Sequence, residues 1–252
     1  MDNNKQYYKN LIKSLEIASG QVISIIGSGG KTTLMLGLAD ALKDQYRVLV
    51  TTTTKIFKPI GDPYRVDIEA PESYLLDLGN RKIERGFTYV YGSDAIPCLD
   101  YFNREQIKVS GFSKSVLDQN HNQLLKAFDI VIIEADGSRN RPFKGWREDE
   151  PIVTDASTMT IGVVGTHHLG VSIAENNIHR LDAFRAFLEG HVVQSGDDQV
   201  VTKEILLTVV TSPKGIFAKA KGQKVLYLAG ASDELATWFR EKLHEHDIRV
   251  LR

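Results

Sequence analysis

Gly27, Gly29 and Gly30 fall within four positions and are followed at once by Lys31, Thr32 and Thr33, in the stretch VISIIGSGGKTT. Glycines let phosphate oxygens approach the main chain and allow converging backbone N–H groups, with Ser28 contributing one more amide between them. Lys31 adds a positive charge that reaches terminal phosphates, and Thr32, at the start of a helix, offers a hydroxyl to Mg²⁺. The usual loop G-x-x-x-x-G-K-[ST] would need a glycine where Ile25 stands, so the loop here is the shorter G-x-x-G-K-T. The alternative is a glycine turn that merely joins strand to helix.

A phosphate loop needs a metal-side partner, and DIVIIEADGS ends in two acids, Glu134 and Asp136. At the carboxyl edge of a buried strand, one of them can hold Mg²⁺ directly or through water. The other can orient or deprotonate a nucleophile, and the sequence leaves open which does which. TTTTK, residues 51 to 55, ends another strand on the expected same edge. Thr54 and Lys55 there could hold an anionic group or stabilise a transferred phosphoryl, or they could simply end a β-branched strand. In GSRNRPFKGW, Arg139, Arg141 and Lys144 suit phosphate or carboxylate oxygens, against the alternative of a solvated basic loop. His167, His168 and His179 lack metal-ligand spacing and read as capping or hydrogen-bonding residues. Trp146 and Trp238 read as packing anchors, with Trp146 in a loop where it could cover a substrate.

The elements that must position these residues begin with a short helix striped by Tyr8, Leu11, Ile12 and Leu15 and ended by Gly20. The apolar run QVISII is a strand covered on both faces, and Leu34, Leu38, Ala41 and Leu42 mark the helix after the loop. RVLVTTTT is the next strand, which makes a βαβ unit with parallel strands. From residue 58 to 112, Pro and Gly break the pattern into an inserted, strand-containing flap in which FTYVYG and QIKVSG are strands. SKSVLDQNHNQLLKAF is a helix capped by Ser113, with Val116, Leu117, Leu124 and Phe128 inward. The runs MTIGVVG, EILLTVV and KVLYLAG read as further strands. Ser232 then caps a last helix bearing Leu235, Trp238, Phe239 and Leu243, and IRVL closes the chain as a strand. Residues 1–252 read as a single P-loop α/β domain, P-loop NTPase-like, with a mostly parallel sheet, flanking helices and an irregular inserted segment.

Composition narrows the partners. The 31 basic and 32 acidic side chains nearly cancel, so no long-range field argues for nucleic acid or a membrane. The single cysteine, Cys98, excludes an intramolecular disulfide and a multi-cysteine metal site and suits a reducing compartment. No apolar run spans a membrane, and MDNNKQYYKN lacks a secretory core, so a cytoplasmic protein is expected.

Taken together, IGSGGKTTLM, VLVTTTTKI, IIEADGSRNRPFK, the EP at 150 and 151, VVG followed by LG at 169 and 170, and IHR at 178 to 180 resemble the YqeC family. These are accessory proteins of selenium-dependent molybdenum hydroxylases. The resemblance extends over about residues 20 to 215. It implies a P-loop nucleoside triphosphatase fold, a part in making or inserting a labile selenium cofactor, and a molybdenum hydroxylase client. Carried over by motif, it points to Gly27 through Thr33, Thr54 and Lys55, Glu134 through Arg139, and His179 with Arg180. YLAGASD, at 227 to 233, stands where an Asn-containing motif is often found, and no Asn-Lys-x-Asp pattern exists, so ATP is preferred over GTP by default.

The expected function is Mg²⁺-dependent binding and hydrolysis of ATP or another triphosphate, or phosphoryl transfer to a small-molecule or cofactor substrate. Lys31, Lys55, Asp136 and Arg139 are then the catalytic candidates. A nucleotide-switched cofactor chaperone with slow turnover needs the same loop. The short loop also resembles that of ligases in the Mur and folylpolyglutamate synthetase group, which leaves an ATP-dependent ligase as a weaker alternative.

Overall fold

The computed structural model describes residues 2–68, 75, 78, 81–99, 103–188 and 199–252. Its architecture is mixed α/β, with a mostly parallel sheet and flanking helices. The chain divides into two compact units. The first comprises Met1–Ser24, Thr32–Ala135 and Thr154–Thr158, and the second Ile25–Lys31, Asp136–Val153 and Met159–Arg252.

In the first unit, helix α1 (Asp2–Leu15) buries Tyr8, Leu11 and Leu15, three members of the predicted stripe. Each buried leucine contributes about 1.5–3 kcal/mol by leaving water. Tyr8 packs against helix α2 (Lys31–Leu42) at Gly37, where an added Cβ would lie 2.0 Å from its Cζ. Its hydroxyl donates to the Thr33 carbonyl at 3.2 Å. The predicted stop at Gly20 is displaced, because α1 ends at Leu15 and Glu16 itself takes a left-handed φ of 57°. Gly20 instead serves the following turn and donates its N–H to the Asp129 carbonyl at 2.7 Å.

Strands β1 (Gln21–Ser28), β2 (Val48–Thr52), β3 (Lys55–Phe57), β4 (Tyr64–Asp67), β5 (Thr88–Tyr91), β6 (Asp94–Leu99), β7 (Glu105–Ser110) and β8 (Ile130–Glu134) follow in chain order. In this unit the order is β8-β2-β5-β4, with all four strands parallel, and β1 passes from this unit into the second after Ser24. Every residue of β2 and β8 is buried, which is why VLV and IVII read as continuous apolar runs rather than alternating ones. Arg47 fixes their starts by pairing with Asp129 at 2.7 Å. The segment from 58 to 112 lies partly outside the described residues. Among those described, β4 and β5 extend the parallel sheet, while β6 and β7 form a separate antiparallel sheet with β3. Helix α3 (Lys114–Ala127) is capped as expected, Ser113 accepting from the Val116 N–H.

In the second unit, strands β10 (Met159–Gly165), β12 (Gln223–Ala229) and β13 (Ile248–Leu251) are parallel neighbours. A two-stranded ladder joins β9 (Phe143–Lys144) to β11 (Ile178–His179), and helix α4 (Leu181–Ala186) follows. The predicted strand EILLTVV is instead part of helix α5 (Lys203–Thr211). The cause is local: Thr202 accepts from the Ile205 N–H as a cap, and the buried residues Ile205, Leu206, Val209 and Val210 repeat with helical spacing. A short apolar run with β-branched residues fits either period. Helix α6 (Asp233–Leu243) has its expected Ser232 cap and buries Ala236, Phe239 and Leu243. Among the described residues, no helix is long and apolar enough to cross a membrane.

Candidate functional site

In the second unit β1 runs into the glycine loop, and Ile25, fully buried, belongs to the strand. Gly27 has φ +99° and Gly29 φ +78°, values that L side chains rarely adopt. Space excludes a side chain as well. A Cβ at Gly27 would sit 2.3 Å from the Val163 carbonyl oxygen, and one at Gly29 would sit 3.0 Å from the backbone of Gly165. The loop is therefore pressed against the end of β10. Lys31, buried at the start of α2, donates to the Gly27 carbonyl at 2.9 Å.

Asp136 organises the rest of this unit's cluster. Its Oδ2 accepts from the Gly27 N–H at 3.0 Å and from the Trp146 indole N–H at 2.8 Å. Its Oδ1 accepts from the Lys144 ammonium, which also donates to the Gly137 carbonyl at 2.8 Å and lies 3.4 Å from Glu150. Glu150 in turn pairs with Arg180. Asp136, Lys144, Glu150 and Arg180 thus alternate in sign along one chain, and both Asp136 and Lys144 side chains are fully enclosed. Burial pushes the Glu150 carboxyl upward, but Lys144 and Arg180 outweigh it and hold the group below its ordinary value. His179, half-buried beside this chain, is driven down to about 4, first by burial and then by the charges of Arg180, Lys144 and Arg139.

In the first unit β2 and β8 end level, Thr52 opposite Glu134. The Thr52 hydroxyl and the Thr53 N–H both donate to the Glu134 carbonyl, at 2.7 and 3.0 Å. The Thr54 N–H bonds back to the Thr52 hydroxyl at 2.9 Å, so the threonine run forms a folded strand end. The Thr32 hydroxyl donates to Glu134 Oε2 at 2.7 Å. A hydroxyl and a carboxylate are hard oxygen donors of the kind Mg²⁺ takes alongside water and phosphate oxygens, so the pair fits that ion. Among the described residues no group of three or more His, Cys, Asp or Glu is arranged to hold a metal.

The structure thus groups Gly27 to Lys31 with Asp136 in one unit, and Thr32, Thr54 and Glu134 in the other. Lys55 is exposed at the start of β3 and, among the described residues, makes no hydrogen bond to Thr32 or Glu134. Arg139 is exposed, with φ 49°, and makes none to the loop. GSRNRPFKGW reads as a basic loop open to solvent or ligand, whereas the structure buries Lys144. Glu150 and Arg180, which sequence marks only through their motifs, pair with each other, and Trp146, a packing anchor or substrate cover by sequence, is buried and donates its indole N–H to Asp136. The signal that could have found Lys144 is its frame, FKGW, in which a lone cation sits between two large aromatics.

A family model described as YqeC: YqeC protein matches residues 23–182. A relative from Escherichia coli (strain K12), "Uncharacterized protein YqeC", is 31% identical over 197 residues, covering 78% of this chain and 70% of its own. No solved structure matches the chain.

Proposed function

We propose, from the premise that this chain belongs to the YqeC family, that it is a P-loop NTPase-like protein which binds a Mg²⁺ nucleoside triphosphate, ATP by default. It hydrolyses the nucleotide or transfers its phosphoryl group in selenium cofactor maturation for a molybdenum hydroxylase client. The observation that carries this reading is the loop itself: a buried strand, glycines at positive φ pressed against β10, then Lys31 and Thr32 opening a helix. That arrangement offers amides and the positive helix end to phosphate oxygens, with Lys31 as point charge. Thr32, covalently next to Lys31, and Glu134 would hold the metal, which when bound supplies charge neutralisation on the phosphates.

One observation favours the slower, switch-like form of this function. Asp136 has both carboxylate oxygens occupied by Gly27, Trp146 and Lys144, so it is held as a brace rather than placed to accept a proton from a nucleophile. Turnover of ATP measured with and without a molybdenum hydroxylase tests the two forms. Stimulation by the client supports the switch, rapid turnover of the protein alone supports an independent enzyme, and no turnover or binding under either condition contradicts the proposal.

A further inference from the structure

Next to the glycine loop, and within the same unit, the chain leaves β10 through a short 3-10 turn, Thr166–His168. The Thr166 hydroxyl pins this turn to the end of β12 by donating to the Ala229 carbonyl at 3.0 Å, and the Leu169 N–H closes it on the Thr166 carbonyl at 3.1 Å. Three rings then follow in a ladder. Phe143, buried on β9, meets His168 edge-on at 6.5 Å between centroids, and His168 meets His167 at 3.9 Å with the planes tilted by 45°. The last ring, His167, is exposed.

Its neighbours are glycines. A Cβ built at Gly165 would lie 3.2 Å from Gly29 Cα and from its carbonyl oxygen on one side and 3.3 Å from His167 Cε1 on the other. One built at Gly230 would lie 3.8 Å from His167 Nδ1. The imidazole therefore borders the phosphate loop across a single residue, with no side chain at Gly165 or Gly230 to cover it. A planar ring supported from behind and open in front is a stacking surface. Burial and the neighbouring His167 hold the His168 imidazole below its ordinary range, which keeps the supporting ring neutral and the stack free of charge repulsion at neutral pH.

We propose that His167 is the platform on which the base of a bound nucleotide stacks, its phosphates lying in the Gly27 to Lys31 loop. This inference rests on the triphosphate reading of that loop and adds the residue that would distinguish a nucleotide from a bare polyphosphate. Stacking on a ring tolerates any base, which agrees with the lack of an Asn-Lys-x-Asp pattern for guanine in this chain.

The test is a binding titration with Mg²⁺ATP and with Mg²⁺ tripolyphosphate, on the full-length protein and on His167→Ala and His167→Phe. His167→Ala should weaken ATP about tenfold, in the range found when a stacking ring is removed, and leave tripolyphosphate unchanged. His167→Phe, which keeps a ring and removes the hydrogen-bonding nitrogens, should keep ATP affinity within about threefold of the parent on the same scale. Equal loss for ATP and tripolyphosphate would make His167 a phosphate contact and overturn the platform, as would a phenylalanine variant as weak as the alanine one or an alanine variant that binds ATP like the parent. A parent protein that binds tripolyphosphate as tightly as ATP overturns the platform alone. One that binds neither overturns the loop reading, and the platform with it.

Discussion

The backbone N–H of Gly27 donates to Oδ2 of Asp136 at 3.0 Å, so the first glycine of the loop is tied to the acid that follows β8. The same carboxylate holds Lys144 and Trp146, and the charge chain continues through Glu150 to Arg180. Loop conformation and a buried ion network are therefore one structure, and removing a member of the network should be felt at the loop.

Lys144→Met is the direct probe. It leaves Asp136 and Glu150 without their shared, fully enclosed cation. Loss of one partner of a buried pair costs about 3–5 kcal/mol, so thermal unfolding should show a large fall in midpoint. Asp136→Asn combined with Lys144→Met should cost clearly less than the two single changes added together, because the second removes a charge the first has stranded. Additive costs would show that the two side chains do not depend on each other.

How much of this was legible in the sequence depends on how local the cause is. The Ser113 and Ser232 caps, the buried runs of β1, β2 and β8, and the glycine loop are set by neighbours within a few residues, and the pattern displays them. EILLTVV reads as a strand because its five apolar residues fit both periods, whereas the Thr202 cap starts a helix there. The partners of Lys144 lie 8 residues back and 6 residues on, across loops whose path no periodicity encodes, so its burial was hidden. The pairing of Thr32 with Glu134, 102 residues apart, was legible only as chemistry, an acid at a strand end and a hydroxyl after a lysine.

His179 gives the fold a pH dependence with a definite sign. Its value falls from 6.5 to about 4 on folding, so below pH 6.5 the unfolded chain takes up a proton that the folded one refuses. Its contribution is intact above pH 6.5 and declines as pH falls toward about 4, with solvent screening keeping the loss below the full linkage value. Denaturant unfolding at several pH values should show a steeper acid loss for the parent than for His179→Asn. Matching slopes would remove His179 as the cause.

Gly27→Ala and Gly86→Ala separate backbone strain from contact. Both glycines have positive φ, +99° and +87°, which costs an L residue roughly 1–2 kcal/mol. Only at Gly27 would the methyl also strike the Val163 carbonyl, at 2.3 Å, while Gly86 faces open space. Chemical denaturation should therefore find Gly86→Ala mildly destabilised and Gly27→Ala several-fold worse. Equal costs would mean that the loop can move off β10 freely.

Glu134→Gln keeps a hydrogen-bond acceptor for the Thr32 hydroxyl, which now donates at 2.7 Å, but removes the charge that a cation needs. Triphosphate binding should lose its Mg²⁺ stimulation by roughly 10–100-fold or more, the scale on which even supporting residues of metal sites act. A Mg²⁺ titration that superimposes on that of the parent would take Glu134 out of the metal site.

The central claim is that Gly27 to Lys31 bind the phosphates of a nucleotide, and calorimetric titration of Mg²⁺ATP into the parent and into Lys31→Ala tests it most directly. Circular dichroism would verify that the variant is folded. Saturable binding by the parent, abolished in folded Lys31→Ala, is the predicted result, whereas a folded variant that binds ATP as tightly as the parent would contradict the account.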